Sequence, residues 1–165
     1  MQVLSLADLY GGKLCAALDR QHPRDLFDVK VLLKNEGINE DIRKAFIFYL
    51  ISNDRPFYEV LNPSRKDVSD SYKKEFVGMT TENIPYEELV EARENCISII
   101  KNTLTSNEKN FFLSFKTGEP DWALIDIPKL REFPSIKWKL LNIKKMNRVK
   151  REENINNLKN YFNLE

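Results

Sequence analysis

The segment KLCAALDRQHPRDLFD, residues 13–28, concentrates charged side chains in a stretch that is otherwise apolar. Among its charged residues are three cations and two carboxylates whose spacing is informative: Lys13, Arg20, Arg24, Asp25 and Asp28. Lysine and arginine side chains bind phosphate oxygens well, and a neighbouring carboxylate can hold such a cation in position. The residue types therefore suit the binding of a phosphate-bearing substrate, although the same charges could form ion pairs that only stabilise the fold.

The spacing of these residues places them on two helix faces. Lys13 and Arg20 are seven residues apart, so in an α-helix their side chains point within about 20° of one another. Asp25 and Asp28 are three residues apart and share a face of the following helix. The turn at residues 21–23, Gln-His-Pro, can fold the two helices together and bring the cations towards the carboxylates.

Two interpretations of this cluster remain open on spacing alone. In the structural interpretation, Arg20 or Arg24 pairs with Asp25 or Asp28 and locks a helical corner. In the functional interpretation, Lys13 and its neighbours contact phosphate oxygens while a carboxylate orients them. The spacing favours the structural interpretation, because neighbouring opposite charges on packed helices commonly form ion pairs.

The elements that position the cluster are predicted to be helices. Apolar residues recur at helical spacing after Ser5, a helix N-cap residue, and Pro23 suits the first turn of a second helix. Similar patterns predict further helices over residues 39–52, 85–104, 107–115 and 135–147. Because strand signals are few, the sequence predicts a mainly α-helical bundle.

The predicted organisation is one helical domain followed by a tail. The domain covers residues 1–147, and proline and glycine residues make its segment 53–84 loop-rich, with a short helix or strand in it. The tail, residues 148–165, is polar and basic and can extend the last helix of the domain. A chain of 165 residues fits this organisation.

Composition excludes several classes of protein. Apolar residues make up 42% of the chain and charged residues 31%, which is typical of a folded domain and not of a disordered one. No apolar run approaches the roughly 18 residues that a membrane span needs. Cys15 and Cys96 lie in apolar helical contexts, so we expect buried thiols and a cytoplasmic location.

The net charge of +1 hides an uneven distribution. Residues 129–165 contain ten Lys and Arg against four Asp and Glu, a balance of +6, which leaves −5 for residues 1–128. Such a basic C-terminal segment can bind phosphate backbones, so RNA is a candidate partner. The alternative, a solvated helix with surplus lysine, is equally consistent with the composition.

Other residues with chemical potential receive structural interpretations. His22, the one histidine, precedes a proline in a tight corner and is predicted to be a turn residue, not a base or a metal ligand. Trp122 and Trp138 are predicted to be core anchors, not surfaces on which bases stack.

The motif LADLYGGKLCAALDRQHPRDLFDVKVLL resembles the Lys…Arg…Arg-Asp-x-x-Asp segment of the AbiEii/AbiGii toxin family of nucleotidyltransferases. The segments FFLSFKTGEPDWALI and PSIKWKLLNIKKM resemble the C-terminal region of that family, so the likeness covers most of residues 4–147. The resemblance implies a toxin of an abortive-infection or toxin–antitoxin system. It also implies a nucleoside triphosphate substrate and an acceptor such as RNA, and a helical domain that follows an α/β nucleotidyltransferase domain.

The resemblance also assigns roles to the charged residues. Lys13, with Asp25 or Asp28, would be catalytic, and Lys13, Arg20 and Arg24 would bind the nucleotide. The implied partner is a cognate antitoxin that acts at the level of the gene or the transcript, with direct contact left open.

The magnesium ions of the complete enzyme are expected to bind outside this chain. In the family, Mg²⁺ is held by a Gly-Ser motif and an Asp-x-Asp motif that precede the lysine. This sequence contains neither motif, so we expect it to be the C-terminal portion of the enzyme, to be inactive alone and to contribute no metal ligand. The alternative is a non-catalytic helical interaction or RNA-binding module whose charge cluster is structural.

Overall fold

The computed structural model describes residues 5–164, which form helices joined by turns, and no β-strand occurs in this range. Nine helices, α1 to α9, run over Leu6–Arg20, Pro23–Asn35, Glu40–Ser52, Phe57–Leu61, Ser69–Ser71, Tyr86–Thr103, Ser106–Thr117, Pro134–Lys145 and Arg148–Phe162. The prediction of a mainly α-helical fold is confirmed. Residues 1–4 and 165, which the predicted domain and tail include, lie outside the described residues.

The first three helices begin where the capping signals place them. The Ser5 side chain accepts a hydrogen bond from the Asp8 backbone N–H at 3.1 Å, and the Asn39 side chain accepts one from the Ile42 N–H at 2.9 Å. Pro23 occupies the first turn of α2, where no backbone donor is needed. Because each cap satisfies an N–H that the helix itself leaves unpaired, the sequence fixes these starts locally.

Helix α1 packs closely against α3 because a glycine removes the side chain at the contact. A Cβ atom on Gly11 would lie 2.6 Å from Ala45 Cβ and 2.7 Å from the Phe46 backbone nitrogen, far closer than van der Waals contact. The neighbouring Gly12 faces the Tyr49 ring with ordinary space, the nearest ring atom being 3.4 Å from such a Cβ. Gly11 and Gly12 therefore serve helix packing and not a phosphate-binding loop.

An ion pair between Arg43 and Glu108 links α3 to α7 inside the fold. The Arg43 Nε donates to both carboxylate oxygens of Glu108, at 3.0 and 3.1 Å, and both side chains are largely shielded from solvent. Glu108 also accepts a hydrogen bond from the Thr105 backbone N–H at 2.8 Å, while the Thr105 hydroxyl accepts from the Glu108 N–H. One carboxylate thus both caps α7 and joins two helices.

Two buried lysines approach the ring of Phe57. Lys116 Nζ lies 4.5 Å from the ring centroid and Lys139 Nζ lies 5.6 Å from it, so both cations face the aromatic surface. Lys139 also donates hydrogen bonds to the backbone carbonyls of Asn53 and Arg55, which ties α8 to the loop before α4. Burial lowers the pKa of both lysines, that of Lys116 to about 8.

The C-terminal region differs from its prediction at one point. The tail is not an extension of the preceding helix, because the backbone turns at Met146 (ψ 141°) and the Asn147 side chain starts α9 by accepting from the Val149 N–H. Helix α9 then buries Leu158 and Phe162. A short polar side chain at Asn147 stops one helix and caps the next, which helical periodicity alone does not reveal. The division into a domain and a tail stays a prediction.

The two tryptophans have different environments. Trp122 packs on the rings of Phe111 and Phe115, with centroids 5.8 and 6.3 Å away, so its prediction as a core anchor is confirmed. The same prediction for Trp138 is wrong, because Trp138 lies on the surface of α8 and is 61% exposed. Apolar residues occur on two sides of α8, and Ile136 and Ile143 are the ones that face the core.

The two cysteines are free and buried, as predicted. Burial raises the pKa of the Cys15 thiol to about 11 and that of Cys96 to about 12, so neither is a reactive thiolate near neutral pH. Every helix within residues 5–164 is too short or too polar to span a lipid bilayer.

Candidate functional site

Helices α1 and α2 form a hairpin, and two ion pairs join the facing sides of the two helices. Lys13 Nζ lies 2.5 Å from Asp28 Oδ2, and Arg20 Nη2 lies 3.0 Å from Asp25 Oδ1. The two cations belong to α1 and the two carboxylates to α2. Seven residues of α-helix rise roughly 10 Å, so the two cations are about two turns apart on α1, whereas their carboxylate partners are less than one turn apart on α2.

The cations of the hairpin are held in place and still reach solvent. The Lys13 side chain is 33% exposed and its partner Asp28 35% exposed, whereas the Arg20 side chain is 64% exposed. An ammonium group has three N–H donors and a guanidinium has five, so one ion pair uses only part of either. The pairs can therefore orient Lys13 and Arg20 while each cation retains donors for an anion.

His22 shapes the corner between the two helices, as predicted for a turn residue. Its Nδ1 accepts a hydrogen bond from the Arg24 backbone N–H at 3.3 Å and thereby caps α2. Its Nε2 lies 3.1 Å from Glu75 Oε2. A ring nitrogen that accepts must be unprotonated, so the neutral ring carries its hydrogen on Nε2 and donates it to Glu75.

Arg24 lies at the same corner and contacts the segment between α5 and α6. Its Nη2 donates to the backbone carbonyl of Glu75 at 3.4 Å. Together with Arg20, His22 and Asp25, these two residues line an open cavity of about 390 Å³. This cavity has the volume for a phosphate-bearing group and has two arginines in its wall.

A buried network of hydrogen bonds around Gln21 fixes the corner between α1 and α2. Gln21 ends α1 in the left-handed conformation (φ 56°), and its side chain is buried. The Gln21 amide donates to the Ser64 carbonyl at 2.8 Å, and its oxygen accepts from the Lys66 N–H and from Arg93 Nη1 at 3.1 and 3.0 Å. These bonds fix the residue at which the two charged helices meet.

Sequence analysis missed Gln21, Arg93 and Glu75 as contributors to this site. Glu75 is more than fifty residues from His22 in the chain, and Arg93 is 72 residues from Gln21. No local pattern relates such distant positions. One weak signal existed for Gln21, because a polar residue before His-Pro at the end of an apolar helix suits a helix C-cap.

The predicted site residues meet only in part. Lys13 contacts Asp28 and Arg20 contacts Asp25, so the structural interpretation, in which one of the arginines pairs with one of the aspartates, is confirmed for Arg20 and Asp25. Arg24 contacts Glu75 and neither aspartate. The catalytic and nucleotide-binding roles of these residues stay predictions.

The hairpin does not fit a magnesium site. Asp25 and Asp28 each face a cation, and the described residues contain no cluster of three His, Cys, Asp or Glu side chains that could hold a metal ion. Mg²⁺ prefers several oxygen ligands in octahedral geometry, and these carboxylates are instead engaged with Lys13 and Arg20. What the hairpin offers is positive charge on a rigid support.

A family model described as "Nucleotidyl transferase AbiEii toxin, Type IV TA system" matches residues 1–140. No curated protein and no solved structure matches the chain. The matched range contains the whole charged hairpin, so the resemblance inferred from the hairpin motif is confirmed.

Proposed function

Because the chain belongs to the AbiEii nucleotidyl transferase toxin family of type IV toxin–antitoxin systems, we propose that its α1–α2 hairpin binds the phosphates of a nucleoside triphosphate. The observation that carries this proposal is the pairing of a half-exposed lysine with a carboxylate on the neighbouring helix. In such a pair the lysine side chain is already ordered before a ligand binds, so binding loses less conformational entropy. The ammonium is also held in one place, which favours binding of a charged group.

Each cation of the hairpin has a distinct task in this proposal. Lys13 contacts the phosphate at which negative charge develops during transfer, and Asp28 positions it. Arg20 and Arg24, on the rim of the cavity, contact the remaining phosphate oxygens through their planar guanidinium groups. Asp25 orients Arg20. The two aspartates of the motif therefore position two different cations.

The metal ion belongs to another part of the enzyme in this proposal. When bound, Mg²⁺ neutralises the phosphates and activates the leaving group. The described residues do not fit that role, so we assign the Mg²⁺ ligands to the Gly-Ser and Asp-x-Asp motifs that the family resemblance implies. The chain then supplies the cationic half of a composite site and transfers no nucleotide by itself.

The acceptor and the cellular context follow from the same premise. We propose that the nucleotide is transferred to RNA in the cytoplasm, where it stops growth during an abortive infection, and that a cognate antitoxin counteracts it. The basic segment 129–165 supports an RNA acceptor because it can bind a phosphate backbone.

A second candidate function is a non-catalytic helical interaction module. It is favoured by the fact that Lys13, Arg20, Asp25 and Asp28 are all satisfied within the hairpin. In that case the charges only lock the two helices together, and removal of Lys13 would unfold the hairpin and leave no specific loss of activity.

Growth arrest by the complete toxin separates the two functions. Lys13→Ala is compared with Lys30→Ala, which removes a lysine of similar exposure that pairs with Glu88 on α6. The proposal predicts that Lys13→Ala abolishes growth arrest and lowers the melting temperature by no more than about 4 °C, while Lys30→Ala leaves growth arrest intact. Retained toxicity of Lys13→Ala, or its loss together with the fold, contradicts the proposal.

A further inference from the structure

Helix α8 presents an apolar surface that no described residue covers. Trp138 is 61% exposed and Leu141 is 50% exposed, although tryptophan and leucine are usually buried. The two residues are three positions apart, so they lie on one side of the helix.

Lysines border this apolar surface. Lys145 follows Trp138 by seven residues and therefore lies within about 20° of it around the helix. Lys137 and Lys144, also seven residues apart, lie on the other side of Leu141. We call these five residues, Lys137, Trp138, Leu141, Lys144 and Lys145, the α8 face. All five are exposed.

The α8 face is strongly positive because nothing on the helix opposes its lysines. The sequence of α8, PSIKWKLLNIKK, contains no Asp or Glu. Exposed Lys129, Arg131 and Glu132 precede the helix and Arg148 follows it, although Arg148 is paired with Glu152 at 2.7 Å. Within residues 5–164, no carboxylate forms an ion pair with the three lysines of the face.

The opposite side of α8 is fixed to the core, so the face is rigidly presented. Ile136 and Ile143 are buried, and the ammonium of Lys139 donates to the carbonyls of Asn53 and Arg55. The stem of Lys144 also passes close to Gly118, with its Cγ 3.2 Å from the position of a Cβ there. A side chain that is exposed on such an anchored helix offers a flat aromatic surface at low entropic cost.

We propose that the α8 face binds a single-stranded segment of RNA, with a base stacked on the indole ring of Trp138 and the flanking lysines contacting its phosphates. Aromatic rings beside cations are the usual means by which proteins bind unpaired bases, because every base has a face that can stack. The lysines add attraction that depends on salt. This inference rests on the proposed function, in which RNA is the acceptor. It adds that the α8 face is the surface that binds the RNA.

The test is binding of a fluorescein-labelled single-stranded RNA of mixed sequence to the 165-residue chain, measured by fluorescence anisotropy. Trp138→Ala should weaken binding by about tenfold or more, and Trp138→Phe by much less, because a phenyl ring still stacks. Lys137→Gln and Lys145→Gln should each weaken binding and lower the salt dependence.

Two matched controls exclude general effects of composition and folding. Val149→Ala removes another exposed apolar side chain and Lys34→Gln removes an exposed lysine of α2, and both should leave RNA binding unchanged. Because Trp138 is exposed, its variants should keep the melting temperature of the parent protein. Equal RNA affinity of Trp138→Ala and the parent protein overturns the proposal.

Other occupants of the α8 face would be recognised in the same experiment. Binding to phosphatidylserine vesicles that depends on Trp138, without Trp138-dependent binding of RNA, identifies a membrane surface and overturns the proposal. Binding of ATP measured in parallel separates this inference from the proposed function. Loss of RNA binding in Trp138→Ala with unchanged ATP binding supports the α8 face, whatever role Lys13 has.

Discussion

Lys13 Nζ and Asp28 Oδ2 lie 2.5 Å apart and join two helices at residues that are fifteen positions apart in the chain. Both side chains are about one-third exposed, so water competes with the ion pair. It is therefore suited to hold a lysine in position and poorly suited to hold the fold together. A pair that positions the lysine without stabilising the fold is what the proposed phosphate-binding role requires.

The first prediction is that this ion pair contributes little to stability. Lys13→Ala and Asp28→Ala should each lower the free energy of unfolding by about 1 kcal/mol or less, as partly exposed ion pairs usually do. Urea unfolding of both variants and of the double variant gives the coupling energy between the side chains. A loss of about 3 kcal/mol or more in either variant would show that the pair is a structural lock.

A second prediction concerns the contact between α1 and α3. Gly11→Ala should destabilise the protein by about 1–3 kcal/mol, because its Cβ would lie 2.7 Å from backbone atoms of α3 that must move. Gly12→Ala is the matched control, since its Cβ meets only the Tyr49 ring at 3.4 Å. There, the higher helix propensity of alanine should leave stability unchanged or raise it by up to about 1 kcal/mol. Thermal unfolding of both variants measures the difference, and equal melting temperatures would contradict the packing described.

Third, the ion pair of Arg43 and Glu108 should matter far more than an exposed one. Glu108→Ala leaves a largely shielded guanidinium without its carboxylate and removes the carboxylate half of the capping box of α7, so we expect a loss of about 3–5 kcal/mol. Glu152→Ala breaks the exposed pair with Arg148 and should leave stability almost unchanged. Chemical denaturation compares them, and a loss below about 1 kcal/mol for Glu108→Ala would be inconsistent with a buried pair.

A fourth prediction follows from the buried ammonium of Lys116. Burial, with a smaller effect of the like charge on Lys139, lowers the pKa of Lys116 from 10.5 to about 8. Between these two pH values the unfolded chain binds more protons at this lysine than the folded protein does. The contribution of Lys116 to stability therefore rises as pH increases from about 8 to about 10.5, and below pH 8 the full cost of burying its charge is present.

Lys116→Met tests this directly. The variant keeps the length of the buried stem without its charge, so at pH 7 it should be more stable than the parent protein by about 3 kcal/mol. This advantage should shrink between pH 8 and pH 10.5, as measured by chemical denaturation at each pH. Groups that do not interact with Lys116 cancel in the difference between the two proteins, whereas Lys139 contributes to it because the two like charges repel each other. An advantage that does not change with pH would contradict a buried ammonium.

Most of the helices could be predicted from local sequence signals. Ser5, Pro23 and Asn39 identify helix starts because capping depends on residues within one helical turn. The pairing of Arg20 with Asp25 was also accessible, since the two residues are five positions apart across a tight turn.

The remaining features depend on contacts between distant parts of the chain. Glu75 reaches His22 and Arg24 because segment 53–84 folds back on the hairpin, and no local pattern encodes that. The exposure of Trp138 likewise depends on which side of α8 meets the core. Helical periodicity could not decide this, because Ile136 and Leu141 lie on different sides of α8 and each side has further apolar residues.

The most direct test of the central claim is calorimetric titration of the chain with each of the four ribonucleoside triphosphates. We expect binding that Lys13→Ala weakens by about 10-fold to 100-fold, the range expected for a lost charge-assisted hydrogen bond, while Lys30→Ala binds as the parent protein does. Binding that is identical in Lys13→Ala and the parent protein, or absent from both, would contradict the claim that the α1–α2 hairpin holds the nucleotide phosphates.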